Sequence, residues 1–495
     1  MNHPEVTIMG WNFDNSYFRE LEGFYAAAQP EQPAVPKLLA WNDPLARTLG
    51  IPVDEHSPQE LTAMFSGSAL PPGSNPIALA YAGHQFGHFS PQLGDGRAVL
   101  LGEQIAPDGS RFDLQLKGSG RTPFSRNGDG KSALGPALRE YLVSEAMAAM
   151  NIATTRSLAV IATGETVVRQ SAHPGAVLTR AAASHIRIGT FEFFAAHLGA
   201  DHVRQLANYT IDRHYPAARE ADNPYLALLE AVMDAQIRLV ASWMNIGFVH
   251  GVMNTDNVAI SGETIDYGPC AFMDQYSPST RFSSIDTRGR YAYANQPVVC
   301  RWNLTQLGSA MAQIITEDDE QGLDKANILI ESFPERYAAQ WLIGMRAKLG
   351  LVKTLASDAG LAADLLSALQ DENVDFTGFF RRLARAESTG ADAVTDLFGE
   401  PSSILPWLGA WQERLKAEDT SAEDRQHHMN MVNPVNIPRN HKVEEALAAA
   451  ESGDMGPFNR LLNAVSHPYD EREEWAEFAG PAPENFGDYV TFCGT

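Results

Sequence analysis

The residues with the clearest chemical potential lie between His250 and Gly268, in HGVMNTDNVAISGETIDYG. Asn257 and Asp266 are oxygen donors of the kind a hard divalent cation prefers, and Mg²⁺ usually takes only one or two protein ligands when phosphate oxygens complete its shell. The residues between read as a short strand at Val258–Ile260, a Ser261-Gly262 turn and a second strand at Thr264–Ile265. On that reading Asn257 and Asp266 stand at opposite ends of a tight hairpin, an arrangement suited to metal-assisted transfer of a phosphorus group.

The spacing has a counterpart in protein kinases, which carry a metal-binding Asn at the end of the H-R-D loop and a metal-binding Asp in D-F-G. With His250 set on the kinase His, Asn257 falls on the kinase Asn and Asp266-Tyr267-Gly268 on D-F-G. The kinase catalytic Asp then falls on Val252, which cannot take a proton. The metal half of the motif is present without its base.

Elements upstream are candidates for holding phosphates opposite this segment. Gly94-Asp95-Gly96-Arg97 precedes a strand at Ala98–Leu101, and a glycine-rich turn there lets backbone N–H groups approach phosphates closely. The next strand, Arg111–Leu116, alternates apolar and polar residues and ends at Lys117. A lysine at a strand end facing such a turn is how kinases hold nucleotide phosphates; any single lysine taken alone is more often an ordinary solvated one. GSGRTPFSRNGDGKSALGP follows, a loop with Arg121, Arg126 and Lys131 that suits anions. Pro136 fits the first position of a helix running to about Met150, on which Glu140 and Glu145 are candidate partners for Lys117. Strands are expected at Thr166–Arg169 and Ala176–Arg180, and the forks of Arg180 and Arg187 would suit a polyphosphate if they converge. His84 and His88 have helical metal-site spacing, but Gly83 and Gly87 argue against a helix and no third ligand is near.

From Asn223 the pattern turns helical. Asn223 is a good N-cap, Pro224 suits the first turn, an apolar stripe runs from Leu226 to Met244, and Gly247 can end the helix just before the catalytic segment. Amphipathic helices continue to about residue 420, and MVNPVNIPRNHKVEEALAAAESGD reads as a turn followed by a helix. The 495-residue chain carries a net charge of −24, which argues against general nucleic-acid or anionic-membrane binding. No apolar run approaches a membrane span, and the N-terminal MNHPEVTIMG lacks a secretion-signal pattern. Three cysteines, Cys270, Cys300 and Cys493, are too few for a disulfide framework, so a cytoplasmic setting is expected.

YAGHQFGHFSPQLGDGR, LQLKGSGRTPFSR, HGVMNTDN, DYGP, NPVNIPRNH and the C-terminal Cys together resemble the selenoprotein O family of pseudokinase-like protein adenylyltransferases, over nearly the whole chain. The resemblance implies an α+β, bilobal kinase-like fold that binds ATP inverted and transfers AMP to Ser, Thr or Tyr hydroxyls of proteins, with Mg²⁺ or Mn²⁺ and release of pyrophosphate. It implies that Lys117 contacts phosphates and pairs with Glu140, and that Gly94, Gly96, Arg97, Asp129 and Gly130 line the nucleotide. By the same resemblance Arg180 and Arg187 hold the phosphate chain, Asn257 and Asp266 bind metal, and Asp256 is the base, which resolves the missing acid at Val252. The expected division is residues 1–80 as an irregular extension, 81–190 as an N-lobe, 191–420 as a helical C-lobe and 421–495 as a C-terminal segment. Some members carry selenocysteine near the C-terminus where this chain has Cys493, so selenium chemistry is absent. A redox link between Cys493 and Cys270, just after the Asp-Tyr-Gly triplet, stands beside the plainer reading of buried thiols. Two other readings stay open on the residues alone: a nucleotide-binding pseudokinase scaffold, and an ordinary kinase with a displaced base.

Overall fold

Alternation along Arg111–Lys117 sends Leu114 and Leu116 to one face of a strand and Asp113, Gln115 and Lys117 to the other. That strand lies at the centre of the main sheet in a computed structural model, which describes residues 10–491. The described strands are β1 (Tyr25–Ala27), β2 (Lys37–Trp41), β3 (Ile77–Leu79), β4 (Gly83–Gln85), β5 (His88–Ser90), β6 (Ala98–Ile105), β7 (Arg111–Lys117), β8 (Ser132–Ala133), β9 (Arg156–Val168), β10 (Ala172–Ala182), β11 (Phe248–Val249) and β12 (Ala271–Phe272). Eight of them form one antiparallel sheet in the order β1-β3-β6-β7-β10-β9-β2, with β8 added to β10. Lys117 pairs with Ala98 on one side and Leu178 on the other, so the glycine-rich turn feeding β6 opens beside the lysine.

The helix Leu134–Ala149 buries Leu138, Leu142 and Met147 with Leu79, Leu100, Val160 and Leu178 in the largest core. Short helices at Asp43–Thr48 and Pro58–Ser66 cover Leu114, Leu158 and Ile161 in a second core. The helix begins at Leu134, with Ala133 at the N-cap, so Pro136 is its third residue, not its first.

After residue 188 helices dominate, which makes the chain α+β. The helix Pro224–Ile246 follows its sequence signals: the Asn223 side chain accepts from Leu226 N at 3.0 Å, and Gly247 ends it with φ 73°. It packs against the helices Gln296–Ile315 and Phe333–Lys348 and delivers the chain to β11. The ladder Phe248↔Phe272 and Val249↔Ala271 then closes the segment that contains Asn257 and Asp266. Among the described residues no helix is long and apolar enough to cross a membrane.

Two local expectations change. The first 80 residues are not irregular, since they supply β1, β2 and β3 to the main sheet. Strands of three to five residues carry too little period-2 pattern to be read, and their sheet partners decide them. The Val258–Ile265 hairpin does not form either. Ile260 N donates to Ile186 O and Ile188 N to Val258 O, each at 2.9–3.0 Å, while Thr264 exchanges backbone bonds with Ala153 and Thr155. Both stretches prefer partners from the sheet side to each other, and this ties the His250–Gly268 segment to the residues before β9 and after β10.

Candidate active-site cleft

Between the sheet and the catalytic segment lies a cleft of ≈ 450 Å³. Gly94, Gly96, Arg97, Lys117, Asp129, Gly130, Arg180, Arg187, Asp256, Asn257 and Asp266 all line it. Of the nominated residues Glu140 stands behind Lys117, Cys270 is buried beside the cleft-lining Pro269, and Cys493 lies outside the described residues. Seven cationic side chains (Arg97, Lys117, Arg126, Lys131, Arg169, Arg180 and Arg187) line the cleft against four carboxylates, inverting the sign of a −24 chain. Such a surplus in a concave site attracts anions.

Asp266 is the hub. Lys117 Nζ donates to its Oδ1 at 3.1 Å and to Glu140 Oε2 at 2.7 Å. Arg180, 1% exposed, reaches Glu140 through Nε at 2.9 Å and Asp266 Oδ1 through Nη2 at 2.7 Å. Arg187 Nη1 holds Asp266 Oδ2 and the backbone oxygen of Asp256, both at 2.6 Å. Burial opposes ionisation of Asp266, yet Arg180, Arg187 and Lys117 outweigh it and hold the carboxyl well below its ordinary range. Glu140 is likewise buried, and Arg180 and Lys117 keep it low. Asp266 takes a left-handed backbone, φ 62°, a conformation that non-glycine residues adopt rarely and that three cations here fix. The other helical glutamate, Glu145, is occupied by Arg156 and Asn42 and faces away from this hub.

Asp256 is the opposite case. It is buried, its Oδ1 has no hydrogen-bond partner, and Oδ2 has only Gln85 Nε2 at 3.4 Å. Burial pushes its carboxyl up to about 6, with Arg187 offsetting part of the effect. Gly83 makes room for it, since a Cβ there would sit 2.4 Å from Asp256 Oδ1. Asn257 donates Nδ2 to Val252 O at 3.0 Å, which directs its amide nitrogen at the backbone and leaves Oδ1 as the free acceptor. Val252 therefore anchors the metal-type Asn where a kinase would keep its acid. His250 is buried and shifted down by that burial, and its Nε2 faces Ile265 O at 2.8 Å. Its place is structural.

The opposite wall is the glycine-rich loop. Thr122 Oγ1 donates to Asp95 O at 2.6 Å, and Ser125 Oγ donates to Gly96 O, so the loop folds back over the turn before β6. Gly94 (φ 73°) lies under the Phe124 ring, and a Cβ on Gly130 (φ 70°) would fall 2.0 Å from Gly120 O. Asp129 receives both Nη atoms of Arg169, at 2.8 and 3.0 Å, which with the Lys131 N–H lowers its carboxyl. Sequence reading missed Arg169 and Asp95. Asp95 is buried, accepts from Gln115 Nε2 at 3.0 Å and approaches Arg187 at 4.0 Å; its place inside the Gly-Asp-Gly turn is the signal that could have found it. His84, on β4, is hydrogen-bonded to Glu192 and not to His88.

Among the described residues no group of three or more His, Cys, Asp or Glu side chains is arranged to hold a metal ion. A cation in this cleft has the oxygen pair Asn257 and Asp266, a donor set that fits Mg²⁺ when phosphates and water complete the shell.

Comparisons with known proteins agree in family. The family model described as "Protein adenylyltransferase SelO" matches residues 7–466. A "Protein nucleotidyltransferase YdiU" of Sphingopyxis alaskensis is 53% identical over 487 residues, covering 98% of this chain and 100% of the relative. The protein of the same name from Cereibacter sphaeroides is 56% identical over 489 residues, and that from Rhizobium etli is 52% identical over 498, covering 100% of this chain and 99% of the relative. The chain belongs to the SelO family of protein adenylyltransferases.

Proposed function

We propose that the cleft binds ATP and transfers its AMP moiety to Ser, Thr or Tyr hydroxyls of protein substrates. The observation that carries this reading is the cationic lining of one cleft in a strongly acidic chain, with Asn257 and Asp266 on its floor. In the transfer, the acceptor oxygen forms a bond to the α-phosphorus, the bond from that phosphorus to the β-phosphate oxygen breaks, and pyrophosphate leaves. The acceptor proton goes to Asp256, whose unpaired Oδ1 is available for it. Asn257 and Asp266 would hold Mg²⁺ or Mn²⁺, which neutralises charge on the leaving pyrophosphate. Lys117, Arg97 and Arg187 bind phosphate oxygens; Glu140 and Arg180 hold Lys117 and Asp266 in place. Positioning and charge neutralisation carry most of such a transfer, and the base adds about 10²–10⁴-fold.

This reading goes with a bilobal kinase-like arrangement, in which residues 81–190 together with β1, β2 and β3 form the nucleotide lobe, 191–420 the helical lobe and 421–495 a C-terminal segment, in a cytoplasmic setting where ATP is plentiful. Incubation with ATP labelled separately at the α and γ positions tests it. Label from the α position alone should enter protein, with stoichiometric pyrophosphate. Transfer of γ-label would make the chain a kinase, and transfer of neither would make it a nucleotide-binding scaffold.

A further inference from the structure

A second cavity, of ≈ 660 Å³, adjoins the cleft, and Phe86 and Ile285 line both. Its walls are the turn between β4 and β5, the loop through Ile285–Arg290, and the start of the helix Gln296–Ile315. Two aliphatic side chains on these walls face solvent, Ile285 at 57% and Val298 at 68% exposure.

The charge in this cavity is one-sided. Its carboxylate, Asp286, is turned inward, where Oδ1 accepts from Arg290 N and Oδ2 from Tyr291 N, both at 2.8 Å, bracing the loop. Arg288 is exposed, and among the described residues neither it nor Arg290 has a carboxylate partner. The Arg290 guanidinium lies 4.8 Å over the Trp302 ring, with its buried Nε unpaired. A −24 chain repels acidic partners in general, so uncompensated arginines beside a catalytic cleft mark where an acidic segment is admitted.

The cavity is also wired to the catalytic loop. Asn254 Oδ1 accepts from Phe86 N at 3.1 Å and from Tyr291 Oη at 2.5 Å, and the Phe86 ring meets Tyr291 at 5.1 Å. Phe86 holds φ 51°, a costly backbone for a bulky residue and one that the surroundings must enforce. The next residue back, Gln85, reaches Asp256.

We propose that this cavity is the docking groove for an extended acidic segment of the acceptor protein. An aliphatic side chain of the segment seats against Ile285 and Val298, carboxylates meet Arg288 and Arg290, and the hydroxyl to be modified enters the cleft past Phe86 toward Asp256. The inference rests on the adenylyl-transfer reading above.

The test uses positional-scanning peptide pools with an equal mixture of Ser, Thr and Tyr at one acceptor position and Glu, Lys, Leu or Gly fixed at each flanking position. The full-length protein is given α-labelled ATP, and pyrophosphate release is read in the same tubes. Glu pools should exceed Lys pools about tenfold in kcat/KM at one or more flanking positions. Arg288→Glu with Arg290→Glu should invert that order, and Val298→Asp should erase a preference for Leu, with ATP affinity unchanged in each. Arg288→Glu alone, at an exposed position, keeps the charge test valid if the double variant does not fold. Pyrophosphate release with no labelled peptide, or equal labelling of all pools by parent and variants, overturns the groove. Absence of both label and pyrophosphate removes the adenylyl-transfer reading, and the groove with it.

Discussion

Asp256→Asn should make the protein more stable while nearly abolishing transfer. In the folded chain burial moves the Asp256 carboxyl from its ordinary 3.8 up to about 6. At 1.36 kcal/mol per tenfold, keeping it ionised at neutral pH costs about 3 kcal/mol. Its side chain repays little of that, with one oxygen unpaired and the other in a single long contact. The neutral amide removes the penalty, and the net gain is about 1–3 kcal/mol, smaller if the new N–H finds no partner. The sign follows from proton uptake. Below about pH 3.8 both folded and unfolded carboxyls are protonated and the gain vanishes; it grows between pH 3.8 and 6 and is full above 6. Thermal unfolding of parent and variant, free of metal and nucleotide, at pH 7.5 and pH 4.5 reads this directly. Single-turnover transfer from α-labelled ATP should meanwhile fall by about two to four decades, with ATP–Mg²⁺ affinity little changed. A variant less stable than its parent, or one whose gain ignores pH, would refute the picture of a strained buried carboxylate. Equal loss of ATP binding and turnover would reject the base role.

Three further outcomes follow from other contacts. Arg180→Lys keeps the charge but loses the separate Nε and Nη2 donors that reach Glu140 and Asp266, so transfer should drop at least about tenfold; full activity would show that charge alone suffices. Lys348 is 3% exposed, its ammonium 4.0 Å from the Phe380 ring, and burial lowers it to about 7. Lys348→Met should stabilise by about 2–4 kcal/mol at and below pH 7, the gain fading as pH rises from 7 toward 10.5; an unchanged denaturation midpoint at pH 7 would contradict this. Thr491 Oγ1 donates to Pro269 O at 2.9 Å and Thr491 N to Phe282 O at 2.7 Å, holding the chain two residues before Cys493 against the residue that precedes Cys270. Oxidation should give a Cys270–Cys493 disulfide detectable by mass spectrometry, and Cys493→Ala should abolish any redox response of transfer; an oxidised protein without that bridge ends the idea.

That Lys117, Asn257 and Asp266 belong to one cleft was legible from strand alternation and a fixed spacing from His250, whereas the helix pattern offered Glu140 and Glu145 alike and only the resemblance chose between them. The long helix from Pro224 was legible for the same reason, its cap, stripe and stop all lying within one stretch. For Arg180 the sequence supplies a charge but not its neighbours, which in the fold are the carboxylates of Glu140 and Asp266. Arg169 was invisible as a site residue because its partner Asp129 is 40 residues away. The Val258–Ile265 hairpin failed because β-pairing is decided by distant partners, here Ile186–Ile188 and Ala153–Thr155, which outcompete the short turn. Asp95 was hidden in plain view, a burial effect that composition cannot report.

The order of strands in the main sheet has a consequence for how the chain is made. Both outermost strands, β1 and β2, come from the first 41 residues, while every strand between them is synthesised later. These two strands therefore have nothing to pair with until β3 and β9 exist, and the sheet stays open at both sides until then. Removing the residues of β1 and β2 would leave β9 at residues 159–162 and the rim at β3 as bare hydrogen-bonding edges, which recruit other chains. In a protein of this topology β1 and β2 act as the fold's final seal, and their loss should appear first as aggregation, before any change in the chemistry of the cleft.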